Sequence, residues 1–169
     1  MIKFVAIERT HLKKLRDWRN ELKDTFRQFR MFSMEDQERW FESLQHDPNR
    51  ILYAVKDGKK LIGVCGWVGI DWVNRHADLS IYVGTEFINQ GYGTQMLHEL
   101  HRIAFMELNL ETVRLEVFDF NPAKNLYLRV GYKEVGRYRS AHFYQGKYWD
   151  SILMDMTRED YLNQVANPA

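Results

Sequence analysis

Across residues 77–84, ADLSIYVG, apolar and polar side chains alternate one by one, a two-residue period that predicts a central strand. Elsewhere the period lengthens. Leu12, Leu15 and Trp18 recur at helical spacing behind Thr10, which is placed as the helix cap. A second helix follows Ser33-x-x-Asp36, the spacing at which two side chains cap each other's amides, with Phe41 and Leu44 on one side and Trp40 beside them. IKFVAI (2–7) predicts a first strand, and ILYAVKDGKKLIGVCGWVGI (51–70) predicts a hairpin, two apolar β-branched runs about Asp57-Gly58. After the central strand comes a glycine-rich turn, EFINQGYGTQML (86–97), and then a helix with Leu97, Leu100, Ala104 and Leu108 on one face. TVRLEVF (112–118) is a strand, and PAKNLYLRV (122–130) is a short helix with proline in its first turn and Gly131 at its end. Two last strands, about 132–144 and 147–156, meet at Gln145-Gly146. The order β-α-α-β-β-β-α-β-α-β-β predicts an α/β (α+β) fold whose mixed, mostly antiparallel sheet is flanked by helices.

The 169 residues suit one domain with a full core, and only three prolines (Pro48, Pro122, Pro168) punctuate them. No linker, repeat or low-complexity tract divides residues 1–169, which read as a single domain. With 24 basic against 23 acidic side chains the net charge is +1, so charge supplies no reason to expect nucleic-acid or membrane partners. Cys65 is the single cysteine, which excludes an intrachain disulfide and a cysteine-rich zinc site. No apolar run reaches the roughly 18–20 residues that span a bilayer, and MIKFVAIERTHLKK lacks the pattern of a signal peptide, so a cytoplasmic protein is expected. His98 and His101 lie three apart on a predicted helix without a third partner, and they read as surface residues; no metal is expected.

Gly91 and Gly93 permit backbone angles closed to other residues, and a helix starting there would point free amides at an anion. On the turn alone, a phosphate cradle and a plain turn both stand. A dinucleotide fingerprint needs glycine where Met96 stands, a nucleotide P-loop needs Lys-Ser/Thr where Thr94-Gln95 follows, and no kinase signature occurs.

The context is more specific. Residues 77–156 run as strand, x-x-x-Gly-x-Gly turn, long helix, strand, Asn-containing loop, NLYLRVGY and a terminal hairpin with glycine at its tip. In that order they resemble the acyl-CoA-binding half of the GNAT superfamily of N-acetyltransferases. The resemblance is strongest to the branch holding ribosomal-protein N-terminal and spermidine N-acetyltransferases. LRDWRN and SMEDQERWFESL resemble the N-terminal helices of the same branch and of amino-sugar N-acetyltransferases, which makes 1–76 the acceptor-side half.

The resemblance implies splayed central strands holding acetyl-CoA, and no metal. It makes Asn89, Gln90, Gly91, Tyr92, Gly93 and Thr94 the loop that wraps the coenzyme A pyrophosphate. Ile88 stands where Arg or Gln is usual, so main-chain amides must do the holding. Ile81, Tyr82 and Val83 become the strand amides for the pantetheine arm and the thioester carbonyl, where a fixed N–H would stabilise an oxyanion. Tyr127 matches the tyrosine that protonates the departing thiolate, a neutral phenol suited to donate one proton. Asn121 matches a pantetheine-contacting asparagine, although it precedes Tyr127 by six residues where seven is usual. For the base that deprotonates the acceptor ammonium, Asp78 is the candidate, Glu116 the alternative, and a water chain the third option.

The implied function is transfer of an acetyl group from acetyl-CoA to a primary amine by direct attack in a ternary complex. Two other readings stand beside it, a non-catalytic acyl-CoA sensor or assembly module and a nucleotide-binding protein using the same turn. The acceptor is expected to be a protein or peptide N-terminus, an amino sugar or a polyamine, met by residues among Trp18, Arg19, Asn20, Phe29, Arg30, Trp67, Trp72, Tyr144, Tyr148 and Trp149. A polyamine would want clustered carboxylates, whereas Asp17, Glu21 and Asp71 are scattered and Arg27, Arg30 and Arg75 oppose them. A peptide N-terminus or an amino sugar suits this composition better. Dimers are frequent among relatives, so the resemblance leaves room for a homodimer.

Overall fold

A computed structural model describes residues 1–26 and 28–167; Arg27 and Pro168 lie outside the described residues. Seven strands form one sheet in the order β1-β2-β3-β4-β5-β7-β6, with β1 (Ile2–Val5), β2 (Ile51–Asp57), β3 (Lys60–Asp71), β4 (His76–Val83), β5 (Thr112–Phe118), β6 (Lys133–Tyr144) and β7 (Lys147–Thr157). The helices are α1 (Leu12–Glu21), α2 (Met34–Leu44), α3 (Tyr92–Met106), α4 (Ala123–Arg129) and α5 (Arg158–Ala166). β1 with β2, β2 with β3, β5 with β7 and β6 with β7 run antiparallel, while β4 pairs β5 in parallel at His76–Asp78 against Thr112–Arg114. The mixed, mostly antiparallel sheet predicted from the pattern is the sheet observed. Packing divides the chain into two compact units, residues 1–69 with 80–96 and residues 70–79 with 97–169.

In the first unit, Leu15, Trp18 and Val64 are buried together, with Ile7, Trp40, Leu52, Leu61, Tyr82 and Phe87 packed around them. Thr10 does not cap α1. A 3-10 turn at Arg9–His11 precedes the helix, and Glu8 and His11 cap it reciprocally, so α1 begins only at Leu12. The cap of α2 is as predicted: Ser33 Oγ accepts from the Asp36 amide at 3.1 Å and Asp36 Oδ2 from the Ser33 amide at 2.9 Å. The β2–β3 hairpin turns at Gly58, whose φ of +58° lies in the left-handed region that glycine enters freely. Cys65 is fully buried on β3, and burial raises its thiol pKa well above the ordinary value.

In the second unit, α3 ends at Met106, short of Leu108. The chain turns through Asn109 at φ +56°, and Leu110 is the fully buried residue there. Pro122 is the cap of α4 rather than its first residue, and Gly131 at φ +102° closes that helix. The Gly131 amide donates to the Leu128 carbonyl and the Tyr132 amide to the Tyr127 carbonyl, a paired lock on the last turn. Gln145 and Gly146, both at positive φ, make the tight turn between β6 and β7. α5 has no counterpart in the sequence reading, although Thr157-x-x-Asp160 caps it in the same reciprocal form as Ser33-x-x-Asp36. Of the histidines read as surface residues, His98 is exposed but His101 is buried, 2% exposed and 3.1 Å from the Tyr132 hydroxyl. Its α3 position faces the apolar core beside Phe105, and the tyrosine supplies the polar partner that makes burial tolerable.

Candidate active site

The glycine turn is reached through a braced loop. Gly84 brings the backbone against Trp18, so close that a Cβ there would lie 2.3 Å from two ring carbons. Trp18 Nε1 donates to Glu86 Oε2 at 2.7 Å, Lys14 pairs with Glu86 at 2.6 Å, and Thr85 donates to Glu21. Beyond this brace the two left-handed positions of the turn are Asn89 (φ +63°) and Gly91 (φ +81°). Gly93, expected to need glycine's freedom, lies instead inside the first turn of α3 with no left-handed φ. The first helical bond runs from the Gln95 amide to the Gly91 carbonyl, 3.2 Å. The amides of Tyr92, Gly93 and Thr94 therefore precede the first intrahelical bond, where helix amides carry the positive end of the dipole. Nothing lies within 4 Å of a Cβ placed on Gly91, so the outer face of the turn is open. The Tyr92 ring is used elsewhere: its hydroxyl donates to Asp57 Oδ2 at 3.0 Å, tying the turn to the end of β2. Gln90 is likewise engaged, through its side-chain amide to the Glu86 carbonyl at 2.8 Å.

A cleft of about 560 Å³ opens in the same unit, lined by residues of α1, α2, β2, β3 and β4 and of the segments that connect α1 to α2 and α2 to β2. Ser80 and Tyr82 reach it from β4, Val64 and Val68 from β3, and Trp40 and Gln37 from α2. Tyr82 packs edge-on to Phe26 at 5.6 Å, and burial raises its phenol pKa above the ordinary value. Of the acceptor-side residues expected from sequence, Arg19 and Arg30 line this cleft. Trp18 and Trp67 are core residues, Asn20 holds the Phe32 backbone, and Phe29 is 93% exposed. The other lining residues were not anticipated as such: Phe32, Asp36, Gln37, Trp40, Arg50, Leu52, Val64, Val68, Ser80 and the Tyr82 side chain. Gln37 carried a usable signal: it is a polar side chain on the buried stripe of α2, only 4% exposed.

In the second unit, Tyr127 is half-buried on α4, edge-on to Tyr132 at 5.8 Å, and burial pushes its phenol up to about 12. Asn121 turns the chain into α4, its Oδ1 accepting from the Ala123 amide at 2.9 Å. Asp78 is exposed on β4, opposite Arg114 in the parallel register, and Glu116 is exposed on β5. Among the described residues no group of three or more His, Cys, Asp and Glu side chains could hold a metal, and no helix is long and apolar enough to cross a membrane.

The sequence model of the acetyltransferase (GNAT) domain matches residues 4–153. Among characterised proteins, the chain is 28% identical over 134 residues to a spermidine N(1)-acetyltransferase of Vibrio cholerae, covering 78% of each chain. It is also 28% identical over 125 residues to the Escherichia coli K12 protein of that name, covering 73% of this chain and 67% of that one. Among solved structures, spermidine N-acetyltransferase from Vibrio cholerae in complex with CoA and spermine superposes with a TM-score of 0.89 at 26% identity, covering 96% of this chain and 98% of that one.

Proposed function

Because the chain belongs to the GNAT acetyltransferase family and is an acetyl-CoA-dependent N-acetyltransferase, we propose that it acetylates a primary amine by direct attack within a ternary complex. The amides of Tyr92, Gly93 and Thr94 hold the pyrophosphate, with Asn89, Gln90 and Gly91 shaping the turn around it. The observation that carries this reading is the open, left-handed Gly91 immediately before three amides that precede the first helical bond. Ile88, exposed, contributes no charge, so affinity rests on the main chain. The β4 amides of Ile81, Tyr82 and Val83 serve the pantetheine arm and the carbonyl where negative charge develops. Asn121 is proposed to serve the same arm through its side-chain amide nitrogen, its oxygen being committed to the turn into α4.

Tyr127 donates a proton toward the departing sulfur. At a pKa near 12 the phenol is neutral throughout the physiological range. A thiol ordinarily titrates near 8.5, so free tyrosinate would be unfavourable beside a thiolate. Tyr127 therefore acts as a hydrogen-bond donor to the departing sulfur: as the C–S bond breaks its proton passes to the thiolate, and the proton lost by the attacking nitrogen as the amide forms restores the phenol. Asp78 is proposed as the base for the acceptor ammonium, and Asp78→Asn tests it: the acidic limb of the pH–rate profile moves if Asp78 is the base and stays if water relays the proton.

The acceptor is a small-molecule amine or a peptide N-terminus; the relatives named for spermidine support keeping polyamines among the candidates. A panel of polyamines, peptide N-termini and amino sugars, read by release of the CoA thiol, tests the activity. Calorimetric titration with acetyl-CoA accompanies it, and absence of binding at millimolar concentration would overturn the reading.

A further inference from the structure

The cleft of the first unit has an unbalanced set of charges. Its lining holds three guanidinium groups, Arg19, Arg30 and Arg50, and one carboxylate, Asp36. That carboxylate is already taken. Arg30 grips it with two nitrogens at 2.5 and 2.8 Å, Arg39 adds a third contact at 2.6 Å, and these bonds hold its pKa well below the usual carboxylate range. Arg50 is matched by Asp47 at 2.9 Å. Among the described residues Arg19 is matched by nothing acidic. Its guanidinium lies over the rings of Phe26 and Phe32, 4.1 and 5.5 Å from their centroids, and its buried Nε makes no hydrogen bond. Burial lowers its pKa, and the one opposing influence is the Tyr82 phenol.

A half-buried guanidinium without an acidic partner is costly, and aromatic faces repay only part of that cost. The planar fork of arginine is shaped for carboxylate and phosphate oxygens. No carboxylate in the lining is left to receive the second and third ammonium groups of a polyamine. The same cleft carries Ser80 and Tyr82 from β4, the strand whose amides are proposed to hold the acyl carbonyl.

Resting on the acetyltransferase reading above, we propose that the acceptor is a small anionic amine, a primary amine with a carboxylate or phosphate a few bonds away, and that Arg19 binds that anion. Phe32, Trp40 and Tyr82 then supply the flat apolar walls against which the body of the acceptor packs. Arg19 is a specificity residue here and takes no proton and forms no bond.

The test compares amines that differ only in the anion. Glucosamine 6-phosphate is set against glucosamine, and phenylalanine against phenylalaninamide, with spermidine alongside, each read as kcat/KM by CoA release. The expected result is that an anionic member exceeds its neutral partner by roughly 10-fold or more, the size of a charge-assisted hydrogen bond. The phosphate and carboxylate pairs tell which anion is meant. Arg19→Met keeps the packing stem and removes the charge; it should bring the anionic-to-neutral ratio toward one while acetyl-CoA affinity by calorimetry stays unchanged. Arg19→Lys, which retains charge but not the fork, should fall between, and it carries the test should the methionine variant not fold. Spermidine as the preferred acceptor, or an unchanged ratio in the Arg19 variants, would overturn the proposal while leaving the acetyltransferase reading intact. Failure of every amine together with failure to bind acetyl-CoA would strike that broader reading instead.

Discussion

At the scale of single residues, environment decides what a side chain can do. Tyr127 and Tyr82 are both phenols pushed toward the neutral form by burial, yet only Tyr127 stands in the NLYLRVGY context that implies proton donation. Tyr127→Phe should lower kcat by roughly 10²-fold, the lower range for a lost general acid, with little change in the acetyl-CoA dissociation constant; single-turnover kinetics beside calorimetry measures the split. His101 gives a second residue-level prediction. Burial, with a smaller push from His98, lowers its pKa from 6.5 to about 3. Between those values the unfolded chain binds a proton that the folded chain refuses, so stability falls as pH drops through that window, by up to about 1.4 kcal/mol per pH unit. Above 6.5 the contribution is constant. His101→Gln, which can still meet the Tyr132 hydroxyl, should flatten that acid dependence in urea titrations between pH 6.5 and 4. The sequence placed His101 on a helix but not inside, because its polar partner Tyr132 is 31 residues away.

At the scale of elements, periodicity carried most of the fold and local chemistry set its ends. The 77–84 alternation, the capping box at Ser33 and the Asp57-Gly58 hairpin were all legible because each signal lies within a few residues. The start of α1 was not, since the reciprocal Glu8–His11 cap replaced the obvious threonine. α5 was missed although its capping box was in plain sequence, because the apolar spacing that follows Thr157 is thin. The brace before the glycine turn depends on Gly84 for a reason of packing alone, its φ being ordinary. Gly84→Ala drives a methyl group into the Trp18 ring, an overpacking that costs about 1–3 kcal/mol. Melting should fall by several degrees, and acetyl-CoA affinity should weaken because the strained segment leads into the turn. Melting curves and calorimetry on the same variant check both.

For the whole molecule, the order of elements pointed to a mixed sheet and the resemblance of residues 77–156 to an acetyl-donor family, while the cleft of the first unit stayed hidden. Its lining comes from α1, α2, β2, β3 and β4 and from the connecting segments that carry Arg30, Phe32 and Arg50, and no window of sequence brings Arg19, Gln37, Arg50 and Tyr82 together. Two arginines of that lining were singled out in advance, but which of them lacks a carboxylate depends on Asp36 and Asp47 finding other partners. A ligand held only by the native chain raises its stability by about 2.7 kcal/mol at a hundredfold excess over Kd. Acetyl-CoA should accordingly lift the melting temperature by roughly 5–10 °C for a chain of this size, and a scan without any shift would count against the cofactor turn. Cys65 bears on all of these assays. It is the chain's single thiol, sealed on β3 and held in its protonated form by burial. Disulfide dyes that report free CoA react with exposed thiolates, so the folded enzyme should contribute almost no colour of its own, and slow turnover on weak acceptors can be read against a quiet baseline.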